Sequence, residues 1–365
     1  MVYRAIGIMS GSSLDGLDIA FVEFQEQAGK WSYEIKVSDC YIYDEEWTNR
    51  LRNAIDLGAL EYQLLHTDFG HYIGQQVNRF IDAHQLHYQV ALIASHGHTT
   101  FHVPAKKMTA QLGDGAAIAA ETKLPVVTDL RAMDIAFGGQ GAPIVPIGEK
   151  LLMNEYDYFL NIGGIANVSM NADPYVAFDI CPANRVLNML ANEVGQPYDD
   201  EGKMAAGGSV NAALLEKLNA LDYYKLSYPK SLANDFGTDE IYPLIKSSGC
   251  SNADALRTFT EHISIQVSES IRGLNQQVPG RKDQKILVTG GGAFNNFLIH
   301  LLTEKLAALG VELIVPDEKL VNFKEALIMA FIGVLRWRQE YNVLSSVTGS
   351  TRDSIGGALW TGQEA

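Results

Sequence analysis

The sequence predicts an α/β protein built from two halves of like design, and three observations carry that expectation. Apolar runs with strand character alternate with longer segments of helical spacing, the pattern of a sheet covered by helices. Each half opens on the same device. IGIMSGSSLDGLDIAFVEF starts at Ile6 and YFLNIGGIANVSM at Tyr158, each an apolar strand, a glycine turn and a second apolar strand. A third glycine turn, in KILVTGGGAFNNFLIHLL from Lys285, joins a strand to a helix.

Taken in order, Ile6 and Ile8 alternate before the first turn, and Leu17, Ile19 and Phe21 alternate after it, as half-buried strands do. Between them Gly11 and Gly16 can take positive φ, and Ser12 and Ser13 offer hydroxyl donors. Such a turn is either a plain hairpin or a cradle whose backbone N–H groups converge on a phosphate. Asp15 and Asp18 would repel a bare phosphate, so the second reading calls for Mg²⁺ or a lysine nearby. Glu61 to Leu86 carries Leu65, Phe69, Ile73, Val77 and Phe80 at helical spacing. VALIAS (90–95) reads as a buried strand and SHGHTTFH as the loop after it. Asp114 is placed to cap a helix over Gly115–Thr122, VVTDLR (126–131) reads as a strand, and FGGQGAP (137–143) as a glycine-rich loop.

In the second half YVAFD (175–179) reads as a strand closing on an acid, followed by a long helix from Asp254 to Leu274 and a short strand, LIVP (313–316). Lys324 to Trp337 reads as a helix with Ala326, Ala330 and Gly333 on one side, small enough for another helix to approach closely. The expected division is residues 1–145 and 146–365, with the last helix able to pack back on the first domain.

Composition narrows the function. A chain of 365 residues with 47% hydrophobic content can fill two cores, and a net charge of −15 argues against nucleic acid and anionic membranes as partners. Cys40, Cys181 and Cys250 form no metal spacing and no disulfide pattern, which suits a reducing cytoplasm. The opening MVYRAIGIMSG lacks the apolar core of a signal peptide, and ALIMAFIGVL (326–335) is too short to span a bilayer. The expectation is a cytoplasmic protein. GGGAFNN lacks the G-x-G-x-x-G spacing, and no G-x-x-x-x-G-K-[ST] loop occurs. His96, His98 and His102 lack zinc spacing and read better as the lining of a small-molecule pocket.

Two strand–turn–strand units plus a glycine-rich strand-to-helix turn resemble the actin/hexokinase/Hsp70 ATPase class. That resemblance implies a duplicated actin-like (ribonuclease H-like) fold, two domains around a central cleft, and ATP bound in the cleft. GSSLDGLD (11–18), SHGHT (95–99), PVVTDLRAMDIAFGGQGAP (125–143), NIGGIANVS (161–169), PKS (229–231) and TGGGAFN (289–295) together resemble the anhydro-N-acetylmuramic acid kinase family, in order along nearly the whole chain. Members use ATP and water to open the 1,6-anhydro ring of a cell-wall-derived sugar, giving N-acetylmuramic acid 6-phosphate and ADP.

The resemblance implies ATP with Mg²⁺, a small sugar substrate, and no metal held by the protein alone. A homodimer is among the expectations it leaves open. It assigns the nucleotide to Gly11, Ser12, Ser13, Leu14, Asp15, Gly16, Leu17 and Asp18, to Asn161, Gly163, Gly164 and Asn167, and to Gly290, Gly291 and Gly292. Asp179 is the implied catalytic base, with a turn or helix-capping aspartate as the alternative; Pro182 reads as the start of the next helix. His96, Thr99, Arg131 and Glu325 are the implied sugar contacts, Arg131 suited to a carboxylate. The sequence departs from the family where FDICPANRVLN stands for the usual FDTGPGN: Cys181 and Ala183 replace glycines, and Asn188 stands where an acid is usual. His98 stands for a glutamine, and PKSLAND for PKSTGRE. An ordinary sugar kinase of the same fold and a non-catalytic ATP- or sugar-binding protein are the other readings.

Overall fold

Both sheets grow from the strand–turn–strand segments. The first strands of the computed structural model are β1 (Val2–Ser10), β2 (Gly16–Gln27), β3 (Lys30–Ile42), β4 (Leu92–Val103), β5 (Met108–Leu112) and β6 (Val126–Thr128). Then come β7 (Tyr158–Ile162), β8 (Ile165–Met170), β9 (Val176–Pro182), β10 (Gln284–Thr289), β11 (Val311–Ile314) and β12 (Ala358–Trp360). The structure describes residues 1–362 except Ser12, Pro229, Asn234, Pro279 and Lys282. The chain divides into two units: Met1–Met153 with Phe323–Ala365, and Asn154–Asn322.

In the first unit the strand order is β12-β6-β4-β1-β2-β3, with β5 paired to β4. β1 and β2 run antiparallel with Ile6 opposite Phe21 and Ile8 opposite Ile19, so the alternation read from the sequence sends these side chains into one core. In the second unit the order is β11-β10-β7-β8-β9. Each unit therefore has an antiparallel meander of three strands (β1–β3, β7–β9) whose first member pairs with a parallel strand, followed by another parallel one. This is the ribonuclease H-like order, present twice.

Helices cover the sheets by the spacing the sequence carries. Ala59–Ala83 buries Leu65, Phe69, Ile73, Val77 and Phe80. The Asp114 carboxylate accepts from the Ala116 N–H at 2.8 Å and caps Gly115–Thr122. In the second unit Asn252–Asn275 buries Leu256, Phe259, Ile263, Val267 and Ile271 along one stripe.

Four local expectations are corrected. SHGHTTFH is no loop: β4 runs through it to Val103, parallel to β1 and β6 at first and then antiparallel to β5. The strand in VVTDLR stops at Thr128, because Asp129 turns to φ 57° and Arg131 opens the helix Ala132–Ala136. β9 continues past Asp179 to Pro182, and the next helix starts at Asn184. The small face of the long helix Glu318–Trp337 receives a sheet and not another helix. A Cβ on Gly7 of β1 would stand 1.8 Å from the Ala326 carbonyl oxygen, and one on Gly333 would stand 2.5 Å from the Ala94 Cβ of β4. A buried Lys324–Glu149 ion pair at 3.0 Å fastens the same helix within the first unit.

Candidate active site

Cross-strand pairing gathers the second unit's candidates. Asn161 on β7 pairs with Asn167 on β8, and Asn167 pairs with Asp179 on β9, so the three stand in one row on one face. A register shift between Ala166 and Asn167 sets this alignment. On the other side Asn161 pairs with Thr289 of β10, whose buried hydroxyl has no hydrogen-bond partner among the described residues.

The two glycine turns beyond this row differ in why they are glycine. Gly290 has φ 82° and a Cβ there would meet the Asn161 side chain at 2.5 Å; one on Gly292 would meet Ile162 at 2.2 Å. Their own fold demands glycine. A Cβ on Gly163 or Gly164 would find only ordinary contacts, the nearest at 3.6 and 3.7 Å. The backbone N–H groups of Ala183, Asn184 and Arg185 donate to the carbonyls of Gly163 and Gly164, which fixes that turn on the following helix. Beside Gly291 and Gly292 lies a cavity of about 660 Å³, lined among others by Asn184, Asn188, Tyr198 and Asn295. Of the departures noted at 181, 183 and 188, only Asn188 reaches this cavity; Cys181 and Ala183 are buried in the core.

Asp179 is half-buried and held from three directions. Its carboxylate accepts from the Leu232 N–H at 2.9 Å, its carbonyl accepts from the Tyr223 hydroxyl at 2.6 Å, and its N–H donates to the Lys230 carbonyl at 3.4 Å. Burial pushes the carboxyl above the usual aspartate value, against the lowering effect of the Leu232 N–H. Lys230 lies over the Tyr223 ring at 4.6 Å, and burial lowers its ammonium. The segment 222–232 that supplies these holds was not foreseen beyond the PKS motif. It acts mostly through backbone groups, which leave no side-chain signature.

The first unit gathers the other candidates. In the first turn the Leu14 N–H donates to the Gly11 carbonyl at 3.3 Å and Leu14 takes φ 61°, while Ser13 and Asp15 are exposed. Ser12 lies outside the described residues. The side chain of Leu17 belongs to the core, and Gly16 is required by the Cys40 sulfur and the Tyr41 carbonyl, each 2.7 Å from where a Cβ would be. Asp18 pairs with Cys40 across β2 and β3. Burial pushes the Asp18 carboxyl up to about 6, opposed by the thiol's hydrogen bond and reinforced by the charges of Glu325 and Asp15. Cys40 is exposed as a residue, but local desolvation of its sulfur and the Asp18 charge push the thiol up to about 12, so it serves as a donor to Asp18.

His96 is buried with both ring nitrogens engaged. Nε2 accepts from Arg131 Nε at 2.8 Å, so Nδ1 carries the hydrogen and donates to the Gly97 carbonyl at 2.9 Å. Burial, with the neighbouring Arg131 charge, holds this imidazole down to about 3, and it stays neutral. His96 thus aims Arg131, whose other arm donates to the Gly141 carbonyl at 2.6 Å. Burial lowers Arg131 to about 10, and the charge of Glu325 acts the other way. The buried Asp134 carboxylate shapes the loop around that carbonyl, accepting from the Gly141 N–H and the Thr348 hydroxyl at 2.7 Å each. Thr99 is half-buried beside Gln111, and His98 Nδ1 is hydrogen-bonded to the Ser10 hydroxyl at 3.1 Å, which itself accepts from Tyr43 at 2.8 Å. Among the described residues no group of three or more His, Cys, Asp or Glu is placed to hold a metal, and no helix is long and apolar enough to cross a membrane.

Residues 3–362 match the family model described as Anhydro-N-acetylmuramic acid kinase. The chain belongs to that family. It is 33% identical to the anhydro-N-acetylmuramic acid kinase of Hydrogenovibrio crunogenus and 33% identical to that of Francisella tularensis subsp. novicida, covering 97% of both chains in each case. Among solved structures it is similar to an activator of the 2-hydroxyisocaproyl-CoA dehydratase from Clostridium difficile with bound ADPNP, at TM-score 0.45 and 12% identity over 92% of this chain and 96% of that one. Family membership makes the chain a phosphotransferase.

The raised carboxyl of Asp18 yields a stability prediction for this kinase. Its folded value of about 6 exceeds the ordinary 3.8, so its stabilising effect is full while the group is protonated in both states and is lost as pH rises through about 6. Asp18→Asn, which still accepts from Cys40, is expected to match the parent near pH ~3 and to melt at a higher temperature near pH ~8. Thermal melts of both proteins at the two pH values check this.

Proposed function

We propose that this kinase opens the 1,6-anhydro ring of anhydro-N-acetylmuramic acid with water and transfers the γ-phosphoryl group of ATP to O6, with Asp179 as the base. The observation that carries this reading is the Asn161–Asn167–Asp179 row ending on a half-buried, raised carboxyl next to a glycine turn that its own fold does not require. An anhydro sugar offers no hydroxyl hydrogen on O6, so a base here has water as its partner. Asp179 takes a proton from the water whose oxygen bonds to C1, the C1–O6 bond breaks, and O6 accepts the phosphoryl group as ADP leaves. The Leu232 N–H holds the carboxylate to that line, and the Tyr223 hydroxyl holds the backbone carbonyl of the same residue. The product is N-acetylmuramic acid 6-phosphate.

Within the second unit, Gly163 and Gly164 suit close approach of phosphate oxygens to the backbone, and the 660 Å³ cavity beside Gly291 and Gly292 is of a size for a nucleoside. Within the first unit, the Arg131 guanidinium suits the sugar's carboxylate, and Glu325 suits its hydroxyls. Mg²⁺ takes one or two carboxylates together with phosphates and water, and Asp18, with Asp15 and Glu325 close enough for their charges to reach it, fits that requirement. Mg²⁺ supplies neutralisation of phosphate charge.

Three expectations test the proposal. Gly164→Ala meets only Arg185 at 3.7 Å, so its melting temperature should equal the parent's while ATP affinity falls by about tenfold or more, read by titration calorimetry. Asp179→Asn should keep ATP affinity and lose about 10²–10⁴-fold in kcat, and the parent's acidic limb should lie above the ordinary aspartate range. Turnover in ¹⁸O-water, quenched before the free anomeric centre exchanges, should give product labelled at C1 and unlabelled in the C6–O–P bridge. Phosphorylated product without label at C1 would replace this reading with that of an ordinary sugar kinase.

A further inference from the structure

β9 is the outer strand of its sheet, so among the described residues no neighbouring strand fixes its free edge. The segment 222–232 takes that place at Asp179, through Tyr223, Lys230 and Leu232. Tyr228 ties the segment to the second unit by stacking on Phe178 and donating to Gln277, and Tyr224 moors it at a buried histidine. His262, fully buried on the helix Asn252–Asn275, accepts from the Tyr224 hydroxyl at its Nε2, 3.0 Å away. Its Nδ1 donates to the Asn219 side-chain oxygen at 2.7 Å, which also accepts from Gln266 at 2.9 Å. A carboxamide oxygen can only accept, so the hydrogen sits on Nδ1 and Nε2 is left as the acceptor for the Tyr224 hydroxyl. Every polar atom of the imidazole is used. The ring is further clamped between Phe259, stacked at 5.7 Å, and the edge-on Tyr224 at 4.9 Å.

Apolar residues in this place would fill the core at no desolvation cost, so a fully satisfied polar cluster is spent on orientation. Tyr224 and Tyr223 are neighbours on one short turn, Asp222–Lys225, with rings 5.6 Å apart. One faces the buried histidine, and the other faces the backbone of Asp179.

We propose that His262, Asn219 and Tyr224 are positioning residues for the reaction: they lock the turn that carries Tyr223 and thereby fix the aim of the Asp179 carboxylate. The inference rests on the reading of Asp179 as the base. A displacement of a fraction of an ångström in a general base lowers the chemical step and leaves ground-state binding alone.

The test is a double-mutant cycle on the full chain. Tyr224→Phe keeps the ring against His262 and removes only the hydroxyl. It is expected to lower kcat by about tenfold with KM for ATP and sugar unchanged within about twofold. In the Asp179→Asn background the same substitution should lower kcat no further, because there is no base left to aim. If Tyr224→Phe does not fold, Tyr223→Phe reads the same linkage from its other end, with the same expectation. Unchanged kcat per folded enzyme, or an equal loss in both backgrounds, overturns the proposal while Asp179→Asn itself shows its expected loss of about 10²–10⁴-fold. Near-normal turnover of Asp179→Asn overturns the base reading and this inference with it.

Discussion

Register between neighbouring strands is the constraint on which the second unit's site depends. Asn161, Asn167 and Asp179 come from three strands, and only the pairing of β7 with β8 and of β8 with β9 brings them into line. The pleat alternates side chains between two faces, so a slip of one residue would turn Asp179 towards the core and bring Phe178 or Ile180 into its place. The shift between Ala166 and Asn167 works within that rule. It lets Cys181 lie opposite Ala166 in the core while Asp179, two residues earlier, faces Asn167.

The same logic explains why the candidate residues differ in kind. Gly290 and Gly292 are glycines for the chain's own packing, whereas Gly163 and Gly164 have room for a side chain. His96 belongs to the motif that resembles the family, but its ring nitrogens are spent on Arg131 and Gly97. Asp134 and Thr348 do for the Gly141 loop what His96 does for the guanidinium, from positions 214 residues apart.

Much of this was legible in the sequence. Periods of two and of 3.6 marked β1, β2, β7, β8 and the helix Ala59–Ala83, because burial on one face leaves its period in the residues. Asp114 announced its helix because capping is a local act. SHGHTTFH misled, since its polar and glycine content is that of a loop, while its strand pairing is decided by residues of β5 outside the stretch itself. The hold on Asp179 by the segment 222–232 was beyond reach for a related reason. A backbone N–H can be offered by almost any residue, and its use depends on where a distant segment is moored.

The Gly7–Ala326 contact has a consequence for how the chain is made. Strands β1 and β4 emerge early in synthesis, but the helix face that presses on Gly7 and Ala94 is not made until some 320 residues have passed. The second unit is one uninterrupted segment, Asn154–Asn322, and its residues are all available before the first unit's are. During translation the order of completion therefore runs against the order of the sequence: the first sheet waits with one face uncovered while the inserted unit folds. A small-residue stripe near the carboxyl end is in this sense the closing piece of the amino-terminal core.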